Sequence, residues 1–312
     1  MINLVGVITA DLILAQVKGR PDFGEEHMVD TMILRPGGLA NTIFPLAKLG
    51  VKQRVISLLG QDDYGSKIYD EIAPLIENEL ARTEKGTVLS VSIVKEGGDR
   101  YFVTYKGNAD DLTAASVEGE KDFDAARATL LYGYFLAPGF GPEAARTCLK
   151  RAKAAGQITF FDANSAIDGW SLKSRQEIIS FLPHIDYFMP NDEEILHLTG
   201  ASDVDQAAEE LISLGANTII VKRGSRGASS YTRSGAVHHA GFPVKAYDTT
   251  GAGDSFNAGF IHSVLEGKPM EEALRYGNML ASIVVSKKED RYPAPAEIER
   301  NIMEMQAGNG SK

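Results

Sequence analysis

The chain has 312 residues, 44% hydrophobic and 24% charged, ordinary values that supply a normal core and exclude a chain disordered throughout. Its 32 basic and 42 acidic residues give a net charge of −10, which argues against a nucleic-acid partner because a duplex binder needs a basic surface, while leaving room for a local basic site for an anion. Cys148, the sole cysteine, excludes an intramolecular disulfide and a multi-cysteine metal site and fits a reducing, cytoplasmic setting.

In chain order, Ile2–Ile8 reads as a first strand ending near Asp11. The N-terminal stretch has no basic region ahead of it and is too short to span a membrane, and no later run of 18 apolar residues occurs, so a soluble cytoplasmic protein is expected. Met28–Leu34 reads as a strand, Pro36-Gly37-Gly38 as a turn, and Leu39–Leu49 as a helix stopped by Gly50. Val55–Leu59 reads as a strand and Tyr64–Leu80 as a helix with Pro74 as a kink or break. Two β-rich runs between Thr87 and Tyr105 flank Glu96-Gly97-Gly98-Asp99, a hairpin signal. An antiparallel hairpin inside a βα series predicts a separate small sheet, with the Met28–Leu34 strand as its partner.

The βα rhythm then resumes. Strands are expected at Thr129–Phe135, Ile158–Asp162, Tyr187–Met189, Asn217–Lys222 and Val244–Tyr247. Helices are expected at Pro142–Ala155, Ser174–Leu182, Asn191–Leu198, Val204–Leu214, Gly251–Leu265 and Met270–Ser286. A last helix follows Pro293 and Pro295, and the residues after Ala307 read as frayed. Such alternation predicts an α/β fold: a doubly wound, mainly parallel sheet with helices on both faces and a small β lid. The whole chain, 1–312, reads as one domain, with the lid formed by segments about 12–35 and 87–106. Ligands of such sheets collect beyond the carboxyl ends of strands, which draws attention to Asp11, Asp162, Asn191, Gly224 and Asp248.

The sharpest motif is Asp248-Thr249-Thr250-Gly251-Ala252-Gly253-Asp254 at the start of an apolar helix. Gly251 and Gly253 bare backbone N–H groups where the helix begins, so an anion can approach them with help from the helix dipole. Asp254 falls in the first turn beside that anion site. A carboxylate there either complements the helix terminus or accepts a proton from an attacking hydroxyl.

The surrounding residues favour the second role. Asp248–Phe256 resembles the C-terminal signature of the ribokinase-like (PfkB-type) carbohydrate kinase family, and Pro36–Asn41 resembles its N-terminal Gly-Gly signature. Phe161-Asp162-Ala163-Asn164, Asn191-Asp192-Glu193-Glu194 and Val221–Gly227 are similar to further motifs of that family, in the family's order and over nearly the whole chain. The resemblance implies an ATP-dependent kinase acting with Mg²⁺ on a hydroxyl of a sugar-like substrate. It implies Asp254 as base, with Gly251, Ala252 and Gly253 forming the anion hole. Asp11, Gly37, Gly38 and Asn41 would hold sugar hydroxyls, and Asn191 and Glu194 would organise Mg²⁺ and phosphates through water. Lys222, Gly224, Ser225 and Gly227 would line the ATP site, with Asn278 near the adenine.

Bland readings stand beside these: Asn191 as an N-cap with Glu194 as its capping-box partner, and Pro36-Gly37-Gly38 as a tight turn. The resemblance also implies a monovalent cation such as K⁺ beside the anion hole, with Asp248 and Thr250 as its near half. The far half comes from a Gly-containing loop, and Ser286–Arg291 contains no Gly. K⁺ dependence therefore stays open, with Lys and Arg side chains as the alternative. Gly133-Tyr134-Phe135 stands where ribokinases place an acidic residue, which weakens ribose as the acceptor. Lys18, Arg20, Arg35, Arg100 and Lys106 could hold an acidic or phosphorylated sugar, though each singly reads as a solvated charge. A nucleoside or other small-alcohol kinase, and a catalytically idle sugar or nucleotide sensor, are the alternatives. The lid's exposed edges predict a homodimer through the lids.

Overall fold

A computed structural model describes residues 1–19, 22–95 and 100–309, with the side chains of Arg100 and of residues 306–309 left aside. The first part of the chain contains β1 (Ile2–Val5), β2 (Ile8–Val17), β3 (Thr31–Gly38), α1 (Ala40–Lys48), β4 (Gln53–Ile56), β5 (Leu58–Gly60), α2 (Asp63–Ile72), β6 (Ala81–Thr83), β7 (Leu89–Lys95) and β8 (Arg100–Tyr105). There follow α3 (Ala114–Glu118), β9 (Ala128–Tyr132), α4 (Gly141–Ala154), β10 (Ile158–Asp162), α5 (Leu172–Phe181), β11 (Tyr187–Phe188), α6 (Asp192–Thr199) and α7 (Val204–Ser213). The remainder is β12 (Thr218–Lys222), β13 (Ala228–Thr232), β14 (Gly235–His239), α8 (Ala252–Leu265), α9 (Met270–Ser286) and α10 (Pro295–Asn309).

The large sheet runs β14-β13-β12-β11-β10-β9-β1-β4. It is parallel from β12 to β4, and β13 and β14 add an antiparallel edge. Successive residues of a strand point to opposite faces, and both faces here are apolar. Leu131, Phe161, Phe188, Ile219 and Val221 pack into one core with α4, α5 and α7. Leu4, Leu130, Phe160 and Ile220 pack into the other with α1, α8 and α9. This is the doubly wound arrangement that near-continuous apolar strands require.

A second sheet, β3-β2-β7-β8, forms the lid. The register sets Arg35 opposite Asp11 and Asp11 beside Ser90. The other face carries Leu12 and Leu14 on β2, Val91 and Ile93 on β7, and Met32 and Val103 on the flanking strands, all partly or largely exposed. One face of the lid is therefore polar around Asp11 and the opposite face is an apolar sheet surface.

Several expectations change. The first strand divides at Gly6, where a Cβ would lie 2.6 Å from the Tyr132 carbonyl oxygen. Ile8–Val17 leaves the large sheet there and becomes an inner lid strand, so Asp11 sits inside a lid strand rather than at the end of the first strand. The other early strand runs Thr31–Gly38 and pairs with β2, not with the hairpin. Pro36-Gly37-Gly38 is thus the end of a strand, and Gly38 turns the chain into α1 at φ 58°. The lid consequently begins before residue 12 and extends past residue 35. Of the kink or break expected at Pro74 the structure has the break, with α2 ending at Ile72 and no α-helix resuming before Leu80, and Val244–Tyr247 forms no strand. Beyond the expected elements, β13 and β14 form an antiparallel hairpin at the sheet edge. The turn at 96–99, Arg20 and the Arg100 side chain lie outside the described residues, as do 310–312; α10 continues past Ala307 to Asn309.

Candidate active site

Strands β9, β10 and β12 run parallel, so their carboxyl ends, Tyr132, Asp162 and Lys222, face the same edge of the sheet. Asp162 is 1% exposed. Its Oδ2 accepts from Lys222 Nζ at 2.6 Å and from Asn257 Nδ2 at 2.5 Å. The lysine's proton is held more tightly than usual: burial opposes its charge, but Asp162, Glu194 and Asp254 outweigh burial. A Cβ at Gly253 would stand 3.6 Å from Lys222 Nζ, so the ammonium lies against the glycine turn.

That turn caps α8. Gly251 adopts φ 78°, a left-handed conformation that favours glycine, and a Cβ there would press on the Asn41 side chain at 3.2 Å. Expected as the first helical residue, Gly251 is the cap, and α8 begins at Ala252. The first amides of a helix have no acceptor within it. Here Ala252 N–H turns back to the Thr249 carbonyl at 3.2 Å, while Gly253 and Asp254 occupy the rest of the first turn.

Asp254 is pushed up to about 7, first by burial and then by the charge of Asp162. Lys222 and a hydrogen bond from the Tyr132 hydroxyl pull in the other direction, and Asp11 adds a smaller upward push. Tyr132, itself buried, has its ionisation pushed well up by burial and by Asp254, and it also bonds the Asn164 side chain. A carboxyl balanced near neutrality in a partly dry site can take up and release a proton.

The lid brings further groups to this place. Asp11 accepts from Thr9 Oγ1 at 2.7 Å, and burial raises its carboxyl above the ordinary range. Gly37 lies directly under that carboxylate: a Cβ would sit 2.0 Å from Asp11 Cγ. Asn41 is buried at the start of α1. Arg35, opposite Asp11 on β3, reaches across to Asp248, with Nη2 2.8 Å from Oδ2. Asp248 also accepts from Thr250 N–H at 2.8 Å. Its carboxyl lies below the ordinary range: burial would raise it, but that hydrogen bond and the Arg35 and Arg291 charges prevail.

Asn191 and Glu194 form the capping box of α6: Asn191 Oδ1 accepts from Glu194 N–H at 2.8 Å, and Glu194 Oε2 accepts from Asn191 N–H at 2.9 Å. The capping role is real. Glu194 is nevertheless 6% exposed, and burial together with Asp162 raises its carboxyl. An isolated parallel bridge ties Asn191 to Lys222. Gly224 leads from β12 into the loop, and Ser225 and Gly227 fold against His239–Gly241, since a Cβ at Gly227 would meet the His239 carbonyl oxygen at 2.1 Å. Asn278 Nδ2 donates to that same carbonyl at 3.1 Å. Those four residues therefore gather at one end of the sheet beside β12.

Sequence reasoning missed Tyr132 and Asn257. Asn257 had a signal: it lies three residues after Asp254 on the same helical face, as a polar residue within an apolar helix. Tyr132 had only its position near the carboxyl end of a strand. Of the basic lid residues, Arg35 and Lys106 are engaged by Asp248 and Asp110, while Lys18 is exposed. His238 and His239 bond Ser229 and the Ala240 carbonyl respectively.

The same overall fold occurs in solved ribokinases. A ribokinase from Thermotoga maritima superposes with a TM-score of 0.78 at 27% identity, covering 97% of this chain and 99% of that one. A putative ribokinase II from E. coli, solved in complex with ATP and Mg²⁺, superposes with a TM-score of 0.83 at 24% identity over 97% and 99% of the two chains. The 5-dehydro-2-deoxygluconokinase of Geobacillus thermodenitrificans is 28% identical over 285 residues, 87% of this chain and 85% of that protein. The family model described as pfkB family carbohydrate kinase matches residues 1–297. The chain belongs to that family and is an enzyme of the carbohydrate kinase class.

Proposed function

We propose that this enzyme transfers the γ-phosphoryl group of ATP to a hydroxyl of a sugar or sugar derivative, with Asp254 as the general base. The observation that carries the reading is the placement of one half-buried carboxyl, balanced near pH 7, in the first turn of a glycine-capped helix and within electrostatic reach of Asp11. The acceptor lies between the lid and the large sheet, its hydroxyls held by Asp11 and Asn41 over the bare backbone of Gly37 and Gly38. Asp254 takes the proton as the acceptor oxygen bonds to the γ-phosphorus and the bond to ADP breaks. The Gly251-Ala252-Gly253 turn receives the transferring phosphoryl group at the helix N-terminus. Lys222, anchored by Asp162 beside Gly253, adds a fixed positive charge there. The 224–227 loop and Asn278 hold the nucleotide.

Mg²⁺ fits this donor set through water. Among the described residues no three His, Cys, Asp or Glu side chains gather as a cage. Mg²⁺ commonly keeps several waters and relies on one or two carboxylates plus phosphates, and Glu194 is the buried carboxyl available beside Lys222. The metal would neutralise charge on the nucleotide phosphates.

The name of the 5-dehydro-2-deoxygluconokinase relative puts that keto-sugar acid first among acceptors. The test is a phosphorylation panel with ATP and Mg²⁺ covering 5-dehydro-2-deoxygluconate, ribose, hexoses, sugar phosphates and nucleosides. Saturable turnover of a sugar or sugar acid supports the reading. Preference for a nucleoside, or no turnover of any alcohol, contradicts it. The apolar outer face of the lid, with Met32 and Val103 largely exposed, supports a homodimer in which two lids cover each other. Sedimentation giving a monomer at working concentration would refute that arrangement.

A further inference from the structure

The turn ahead of the candidate catalytic helix is tied by one guanidinium at both its backbone and its carboxylate. Arg291 Nη2 donates to the Thr250 carbonyl at 2.8 Å and to the Asp248 carbonyl at 3.3 Å. Its Nη1 stands 3.4 Å from Asp248 Oδ2, and its Nε donates to the Val284 carbonyl at 3.1 Å. The side chain is 10% exposed. The same stretch is tied to α9 through Val285, whose carbonyl accepts from the amides of Tyr247 and Asp248.

The groups that converge on Arg291 are acceptors: three backbone carbonyls and one carboxylate oxygen. Two of those carbonyls bracket Thr249 in the turn leading to Gly251. Buried acceptors of this kind carry a large desolvation cost unless a cation or donors face them. The Val284 carbonyl also lies near the end of α9, where the helix dipole favours positive charge. A guanidinium suits the place because it is charged at every working pH and presents donors in a fixed fork. Arg35, from the lid, faces the same Asp248 carboxylate, so two arginines share one carboxylate.

We propose that Arg291 is a built-in cation that positions the phosphate-binding turn, so this enzyme needs no free monovalent cation for phosphoryl transfer. The inference rests on the kinase reading above. Arg291 touches neither acceptor nor nucleotide; it acts by fixing the Asp248 and Thr250 carbonyls, and through them Gly251 and the first turn of α8. Removing the guanidinium leaves a cavity walled by carbonyl and carboxylate oxygens, which is an environment for a desolvated monovalent cation.

The experiment compares the wild type with Arg291→Ala in sodium-free buffer, with choline chloride, potassium chloride or guanidinium chloride at equal ionic strength. Turnover and ligand-free thermal stability are both measured. The wild type is expected to show the same turnover in choline as in potassium. Arg291→Ala is expected to lose at least about tenfold in kcat in choline, since a displaced anion-hole donor commonly costs more than that. It should recover with potassium or guanidinium, and those cations should raise its melting temperature but not that of the wild type. The melting shift does not depend on catalysis, so it tests the cation role even if no acceptor is turned over. A wild type that requires potassium would overturn the proposal. So would an Arg291→Ala variant that is fully active in choline, or one that stays folded while neither cation changes its rate or melting temperature.

Discussion

Lys222 Nζ stands 2.6 Å from Asp162 Oδ2, linking the carboxyl ends of two strands of the large sheet that are not neighbours. The lysine, in turn, lies against the glycine turn of α8. One ion pair therefore joins the sheet edge to the first turn of the candidate catalytic helix. Removing one member of a buried pair leaves the other charge uncompensated, at a cost of about 3–5 kcal/mol. Asp162→Ala is expected to lose stability on that scale in urea denaturation. An unchanged midpoint would show that the pair contributes nothing to the fold.

The pH dependence follows from Asp254. A base must be deprotonated to act, and this carboxyl is pushed up to about 7 by burial and by Asp162. The acid limb of the kcat/KM profile should therefore fall off near pH 7, well above the ordinary range of an aspartate. The Tyr132 hydroxyl bonds the carboxylate and holds its pKa down. Tyr132→Phe should move that limb to higher pH. A limb unmoved in Tyr132→Phe would remove the tyrosine from the account.

The same shift has a consequence for stability. The fold favours the protonated form of Asp254, so its contribution is fully present below the unfolded pKa and is lost as pH rises through about 7. Asp254→Asn, which carries no charge, should melt higher than the wild type at alkaline pH. The difference should shrink as pH falls into the ordinary carboxylate range. Equal melting temperatures across that range would mean that Asp254 carries no burial penalty.

Gly37 is fixed by what lies above it. A Cβ there would overlap the Asp11 carboxylate, and overpacking a filled site costs about 1–3 kcal/mol. Gly37→Ala should displace Asp11 and raise the acceptor KM by about tenfold or more while the KM for ATP changes little. Equal increases in both constants would point to a general disturbance of the fold.

How far the sequence reveals this site depends on the range of the interaction. The Asp248–Asp254 turn, the Asn191–Glu194 capping box and most βα elements are local patterns, visible as glycine placement, capping residues and apolar periodicity. The departure of β2 into the lid was hidden because apolar residues continue on both sides of Gly6, and only the close approach of Tyr132 to Gly6 shows why the chain divides there. The partnership of Tyr132 with Asp254, and of Asn257 with Asp162, joins residues far apart in the chain and leaves no spacing signal. Arg291 shows the same limit. Its loop lacks the expected glycine, but the two turn carbonyls that it serves lie about forty residues earlier and are backbone groups.

The central claim, that Asp254 is the base, is tested most directly by the Asp254→Asn variant assayed for phosphoryl transfer from ATP to the best acceptor of the wild type. The account predicts a folded protein that still binds the acceptor and has lost about 10²–10⁴-fold or more in kcat. A variant that phosphorylates the acceptor at a rate near that of the wild type would contradict it.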